Sequence, residues 1–252
     1  MSGIGIIGFG RFGRLAARYL AKDFPVGVHT RSDQDQAIRA CGARPVSFET
    51  ACGQRIVILC MPISAMRETL EQAAPLLRAD ALVVDVCSVK VYPVQWMREL
   101  LPASVSILPT HPMFGPDSAA VSVAGHKIVL CPERIAPQRY LKVKQWLQKK
   151  GVVLIETTPD EHDRKIAVSL ALTHFIGRSL AEFGATPLDI DTEGYKRLLH
   201  ILGVVKNDSW QLFEDMHRYN PYAQDKRRAF QKAMASIEEH LARTQDIQEQ
   251  KP

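Results

Sequence analysis

The chain of 252 residues is 46% hydrophobic and 23% charged, with a formal net charge of +5. That is enough chain for one large or two modest domains around a buried core, and the balance excludes the disordered and fibrous classes. No run of about 18 apolar residues suggests a membrane span, the N-terminus lacks the order of a secretory signal, and the basic charge comes without basic runs interleaved with aromatics, so neither a membrane nor a nucleic acid is an expected partner.

Taken in chain order, Ile4–Ile7 reads as a strand, 11–22 as a helix, Val26–His29 as a second strand and 33–41 as a short helix. The near-continuous apolar runs at 56–60, 81–86 and 105–108 have the composition of strands buried on both faces. A helical pattern at 65–77 separates the first two. Two further strands, 126–131 and 152–156, flank a helix over Pro137–Lys149. This alternation predicts a doubly wound parallel sheet.

After Thr158 the strand signal stops. Pro159 with acids behind it opens a helix, and helical stretches follow at 159–184, 192–207, 209–218 and 223–245. The expected organisation is α/β: an N-terminal Rossmann-type domain over 1–157 and an all-helical domain over 158–252. Phe230, Met234, Ile237 and Leu241 form an apolar stripe at helical spacing, which predicts packing against a second copy, hence a homodimer through the helical domain. The residues from about Gln245 are polar and are expected to fray. Cys41, Cys52, Cys60, Cys87 and Cys131 have no paired spacing; reduced thiols in a cytoplasmic protein are expected.

The first strand runs into Gly8-Phe9-Gly10-Arg11-Phe12-Gly13, a G-x-G-x-x-G turn that opens a helix. Gly8 suits the tight turn, Gly10 lets a pyrophosphate approach the backbone, and Gly13 lets helix and strand pack closely. With Cys60, Met61 and Pro62 at the end of the 56–60 run, these residues are the expected dinucleotide cradle. The second strand ends in Thr30-Arg31-Ser32 rather than the acid that holds a ribose 2′-hydroxyl. A cation between two hydroxyls suits a 2′-phosphate, so NADP is expected over NAD. Asp33 reads as a cap of the next helix.

Ser88 follows one buried strand and His111 the next, so both are expected at the carboxyl edge of the sheet, where open α/β folds bind ligands. His111 can accept a proton near neutral pH. No metal is expected: Glu161-His162-Asp163 lacks further ligands at supporting spacing and reads as a charged first helical turn. His200 and His217 read as helix-surface residues, and Trp96, Trp146 and Trp210 as core.

The motifs D-x-x-S-V-K at 85–90, T-H-P-M-F-G-P at 110–116, P-x-E-H-D at 159–163 and T-H-F-I-G-R at 173–178, in this order, resemble the prephenate/arogenate dehydrogenases of tyrosine biosynthesis. The resemblance runs from Ile4 to about Ala223. It is nearest to the plant-type, NADP-linked arogenate dehydrogenases, through His29 to Asp33, Asp191 to Tyr195 and Asn207 to Leu212. It implies oxidative decarboxylation of arogenate to tyrosine, with prephenate as a second or alternative main substrate. His111 would take the proton of the substrate C4 hydroxyl and Ser88 would orient that hydroxyl. His174 would contact substrate from the helical domain. Asp208 would face the arogenate ammonium, with a helix N-cap as its competing role. Arg178, one turn after His174, is placed by spacing as a carboxylate anchor or a surface ion pair. A catalytically silent NADP-binding protein predicts loss of Ser88, His111 and His174, all of which are present.

Overall fold

The computed structural model describes residues 3–249. The chain forms two compact units, Met1–His162 and Asp163–Pro252.

The first unit is an eight-stranded sheet in the order β3-β2-β1-β4-β5-β6-β7-β8. β1 (Ile4–Ile7) leads through α1 (Arg11–Leu20) to β2 (Val26–His29), then through α2 (Asp35–Ala40) to a short β3 (Arg44–Pro45). α3 (Phe48–Cys52) returns the chain to β4 (Ile56–Leu59), and α4 (Met66–Ala73) to β5 (Leu82–Asp85). α5 (Val91–Leu100), β6 (Ser106–Pro112), β7 (Lys127–Leu130), α6 (Pro137–Lys149) and β8 (Val153–Glu156) complete it. Every residue of β1 is buried, as expected of a strand covered on both faces. At Gly5 an added Cβ would lie 2.0 Å from the Ala51 carbonyl oxygen, so only glycine lets α3 lie this close. Ile6, Leu59, Leu82, Ile107 and Leu108 are fully buried; each contributes about 1.5–3 kcal/mol of transfer free energy.

Two departures from the expected sheet bear on the site. The strand expected at 105–108 continues to Pro112, and its neighbour β7 runs antiparallel to it. Pairing with β5 ends at Asp85↔Pro109, and pairing with β7 begins at Thr110↔Leu130 and continues through His111↔Val129. Pro109 thus falls where the ladder changes partner, a place that tolerates a missing donor. His111 therefore lies within β6, not beyond its end. The short β3, α3 and α5 carry too weak a period to be read from sequence.

The second unit is helical among its described residues. α7 (Pro159–Ile166) begins in the first unit and continues through a π-helical stretch, Ala167–Leu172, into α8 (Thr173–Glu182). α9 (Glu193–Lys206), α10 (Trp210–Arg218) and α11 (Ala223–Glu249) follow. A Cβ on Gly177 would stand 2.7 Å from a Val205 methyl, so glycine sets the close crossing of α8 and α9. α11 runs to Glu249 instead of fraying near 245; the rest of that expectation, residues 250–252, lies outside the described residues. Trp96 is buried but Trp210 is exposed, against expectation.

Candidate active site

The glycine turn has the geometry its spacing implies. Gly8 has φ +101° and an added Cβ would stand 2.5 Å from the Cys60 carbonyl oxygen. At Gly13 a Cβ would stand 2.3 Å from the Gly8 carbonyl oxygen, whereas at Gly10 it would meet nothing within 4 Å. The open side at Gly10 is where a phosphate needs room. α1 starts there with no side-chain cap and no acid in its first turn, so its N–H groups and dipole remain directed at an anion. These residues fit the diphosphate of a dinucleotide. Cys60 N donates to the Ile7 carbonyl at 2.7 Å, which keeps Cys60, Met61 and Pro62 beside the turn. Phe9 is a correction in part: its side chain is buried in the core with Ile6 and Val28, leaving only its backbone toward a ligand.

At the end of β2, Arg31 and Ser32 are exposed and Thr30 is half-buried. Gln34 donates to Ser32 Oγ at 2.7 Å and accepts from Arg14, which places a second guanidinium next to this tip. Asp33 accepts from the Asp35 N–H at 3.4 Å; the N-cap position itself is Gln34.

β5 and β6 meet in a buried polar lattice that the sequence did not announce. Lys90 and Asp85 are an ion pair with both side chains 0% exposed. Lys90 Nζ also donates to the Thr110 carbonyl, Thr110 Oγ1 donates to the Asp85 carbonyl at 2.6 Å, and the Cys87 N–H donates to Asp85 at 2.9 Å. The residue after Thr110 is His111, so this lattice fixes its backbone. Side chains alternate along a strand; Thr110 and Pro112 line a cavity of about 800 Å³, and His111 does not.

His111 is buried, and its Nδ1 lies 2.9 Å from His162 Nε2 with the rings edge to face. Burial foremost, then His162 and Lys90, holds the His111 pKa well below the usual imidazole range, so the ring is neutral near pH 7 and able to accept a proton. His162 and Asp163 are buried, not members of a solvated charged turn. The one sequence signal was that His162 shares a helix face with the buried Ile166, four residues on. Ser88 Oγ is buried with no hydrogen-bond partner, as a donor kept for a ligand would be. The loop after β6 folds onto α1: Phe114 packs on Phe12 with ring centroids 6.4 Å apart, and Arg11 pairs with Asp117 at 2.7 Å. The His111 segment and the glycine turn are thereby neighbours.

The second unit gathers His174, Arg178 and Asp208. His174 Nε2 stands 3.9 Å from an Asp208 carboxylate oxygen, while its Nδ1 is buried without a partner. Burial lowers the His174 pKa, and Asp208 opposes that. Asp208 is not the helix cap: Ser209 holds that position and accepts from the Leu212 N–H. Arg178 donates to the Asp208 carbonyl, stacks 4.4 Å above Trp210, and has a buried Nε with no partner. It is half-buried. His217 is not a helix-surface residue: it is half-buried, its Nδ1 meets Arg227 at 2.7 Å, and burial foremost pushes its pKa down to about 4.

Residues 24–156 match the family described as prephenate dehydrogenase, nucleotide-binding domain, and residues 179–252 match one described as TYRAAT1-like, C-terminal domain. Arogenate dehydrogenase 2, chloroplastic, of Arabidopsis thaliana is 33% identical over 251 residues, covering 94% of this chain and 69% of the relative. Arogenate dehydrogenase 1, chloroplastic, of the same plant is 32% identical over 250 residues, with 94% of this chain but 39% of the relative covered. Among solved structures, prephenate dehydrogenase from A. aeolicus in complex with hydroxyphenyl propionate and NAD+ superposes with a TM-score of 0.77 at 20% identity, covering 98% of this chain and 92% of that one. Synechocystis arogenate dehydrogenase gives 0.68 at 22% identity, with 95% and 93% covered. A doubly wound sheet, a glycine cradle and a neutral buried histidine beside it define a nicotinamide-dependent dehydrogenase. The chain belongs to the prephenate/arogenate dehydrogenase family.

Proposed function

We propose that this protein is an arogenate dehydrogenase that uses NADP, converting L-arogenate to L-tyrosine and carbon dioxide, with prephenate as a second substrate. The observation that carries the chemistry is the buried, neutral His111 in β6 beside the dinucleotide cradle. A bound nicotinamide supplies the acceptor for the hydride that leaves C4. His111 takes the C4 hydroxyl proton as that hydride departs. The bond from C1 to its carboxylate then breaks, its electron pair completes the aromatic ring, and the proton returns to the oxygen as the phenol forms. Ser88 Oγ orients the hydroxyl. His174 and Arg178 contact substrate, the arginine through a carboxylate.

The choice of arogenate rests on Asp208. Ser209 is the cap and the Asp208 carboxylate lies 3.9 Å from His174 Nε2, which supports a carboxylate facing the ammonium, the group that distinguishes arogenate from prephenate. NADP over NAD is supported by the Thr30, Arg31, Ser32 tip and its neighbour Arg14. The division of labour assigns cofactor binding to 1–157 and substrate binding and dimerisation to 158–252. Exposed apolar residues of the second unit, such as Phe183 at 83%, Ile190 at 87% and Ile237 at 62%, support a homodimer. A cytoplasmic location is part of the same reading, supported by five free cysteines; no helix among the described residues is long and apolar enough to cross a membrane.

The test is purified protein with NADP or NAD and each substrate, followed at the reduced-nicotinamide absorbance band. Asp208→Asn should lower kcat/KM for arogenate by about 10- to 100-fold, the worth of a hydrogen bond to a charged group, and leave prephenate within a few-fold. An unchanged ratio of the two substrates refutes the role of Asp208, and no reduction with either refutes the activity.

A further inference from the structure

His162 belongs to no expected part of the reaction, yet its side chain meets that of His111: Nδ1 of His111 and Nε2 of His162 lie 2.9 Å apart. Both rings are buried, set edge to face with centroids 5.1 Å apart and planes at 75°. Both backbones are pinned, His111 by its pairing with Val129 and His162 by donation of its N–H to the Thr158 carbonyl at 2.9 Å in the first turn of α7.

One proton bridges two imidazoles at this distance, and its owner decides what His111 can do. If His162 Nε2 carries it, His111 Nδ1 is the acceptor, the other His111 proton sits on Nε2, and that ring has no lone pair for substrate. If His111 Nδ1 carries it, Nε2 on the far side of the ring is a free base. We infer that His162 is a positioning residue: it accepts the His111 Nδ1–H bond and so locks His111 in the tautomer with a basic Nε2. The inference rests on the arogenate/prephenate dehydrogenase reading and assigns the orienting part that a carboxylate plays in hydrolase triads. The charged and titratable groups acting on His111 are His162 from α7 and Lys90, ahead of α5; Lys90 is itself paired with Asp85. A neutral orienter suits this place, because Asp85 is committed to Lys90 and a further buried carboxylate would carry its own desolvation cost. When the substrate proton arrives at Nε2, the Nδ1–H bond shortens against an uncharged acceptor and spreads the positive charge over two rings.

The experiment combines a direct and a kinetic readout. Long-range proton–nitrogen correlation spectra of the wild-type protein, with His111 assigned by loss of its signals in His111→Asn, should show His111 as the Nδ1–H tautomer at pH 7.5. An Nε2–H tautomer overturns the inference whether or not the enzyme turns over, which separates its failure from failure of the proposed activity. In the active enzyme His162→Leu should lower kcat by about 100-fold, within the range of general-base catalysis, with KM for arogenate and NADP changed less than about 3-fold. His162→Gln, whose Oε1 can accept the same bond, should recover at least about 10-fold of that loss. A His162→Leu enzyme with near wild-type kcat, or a glutamine variant no better than leucine, overturns it.

Discussion

Replacing Lys90 by methionine removes a cation from a site with no solvent. In the native protein Lys90 and Asp85 are both fully buried and paired, and Lys90 Nζ also donates to the Thr110 carbonyl. In Lys90→Met the methionine fills much of the lysine volume, so the cavity cost is small. The Asp85 carboxylate stays behind with one backbone donor, the Cys87 N–H at 2.9 Å. Breaking a buried pair from one side costs about 3–5 kcal/mol, a large share of the ~5–15 kcal/mol that folds a typical domain. Asp85→Asn alone should cost similarly, because it leaves the ammonium. The double variant should recover about 2 kcal/mol or more, since neither charge remains. The assay is urea unfolding of the four proteins, followed by fluorescence, with Trp96 in α5 buried just downstream of Lys90. Single-variant losses under about 1 kcal/mol, or losses that simply add, refute the claim that this pair is a coupled buried ion pair. Because Thr110 precedes His111 in β6, Lys90→Met should also lower kcat for arogenate.

Gly13→Ala puts a methyl 2.3 Å from the Gly8 carbonyl oxygen, so α1 must shift and NADP affinity measured by calorimetry should fall at least about 10-fold; an unchanged Kd refutes the cradle. Arg31→Ala should weaken NADP by about 10- to 100-fold, the worth of charged hydrogen bonds, and leave NAD unaffected; equal loss with both cofactors refutes a 2′-phosphate contact. His111, His174 and His217 all have folded pKa values below the usual imidazole value. The unfolded chain then binds more protons below about pH 6.5, so their contribution to stability is complete at pH 8 and is lost as pH falls from about 6.5, with the His217 share spent near its folded value of about 4. Tm measured from pH 8 to 5 should decline; a flat or rising Tm contradicts these burials.

Much of the fold was legible in local sequence. The glycine turn announced itself because each glycine answers a local demand: a positive φ at Gly8 and missing room for a Cβ at Gly8 and Gly13. The central strands were legible because strands covered on both faces need unbroken apolar runs, as β1, β4 and β5 have. Capping chemistry was partly legible: the sequence pattern placed a helix start at 208–209, but which of two adjacent side chains turned back onto the helix was beyond it. The second role of Arg178, stacked over an exposed Trp210, was likewise hidden, because cation–aromatic stacking carries no spacing rule.

The amino-acid sequence by itself determined the doubly wound sheet, the dinucleotide turn and the helical second half, and singled out His111 as the expected base, because each depends on residues within a few positions of one another. Only the tertiary structure decided what surrounds that histidine. The reversal of β7 drew His111 into the sheet, Lys90 closed on Asp85 beneath it, and His162, 51 residues away in the chain, came within hydrogen-bond reach of its ring. Those contacts depend on which neighbour a strand edge pairs with and which way a helix face turns, and these are settled by packing across the whole unit.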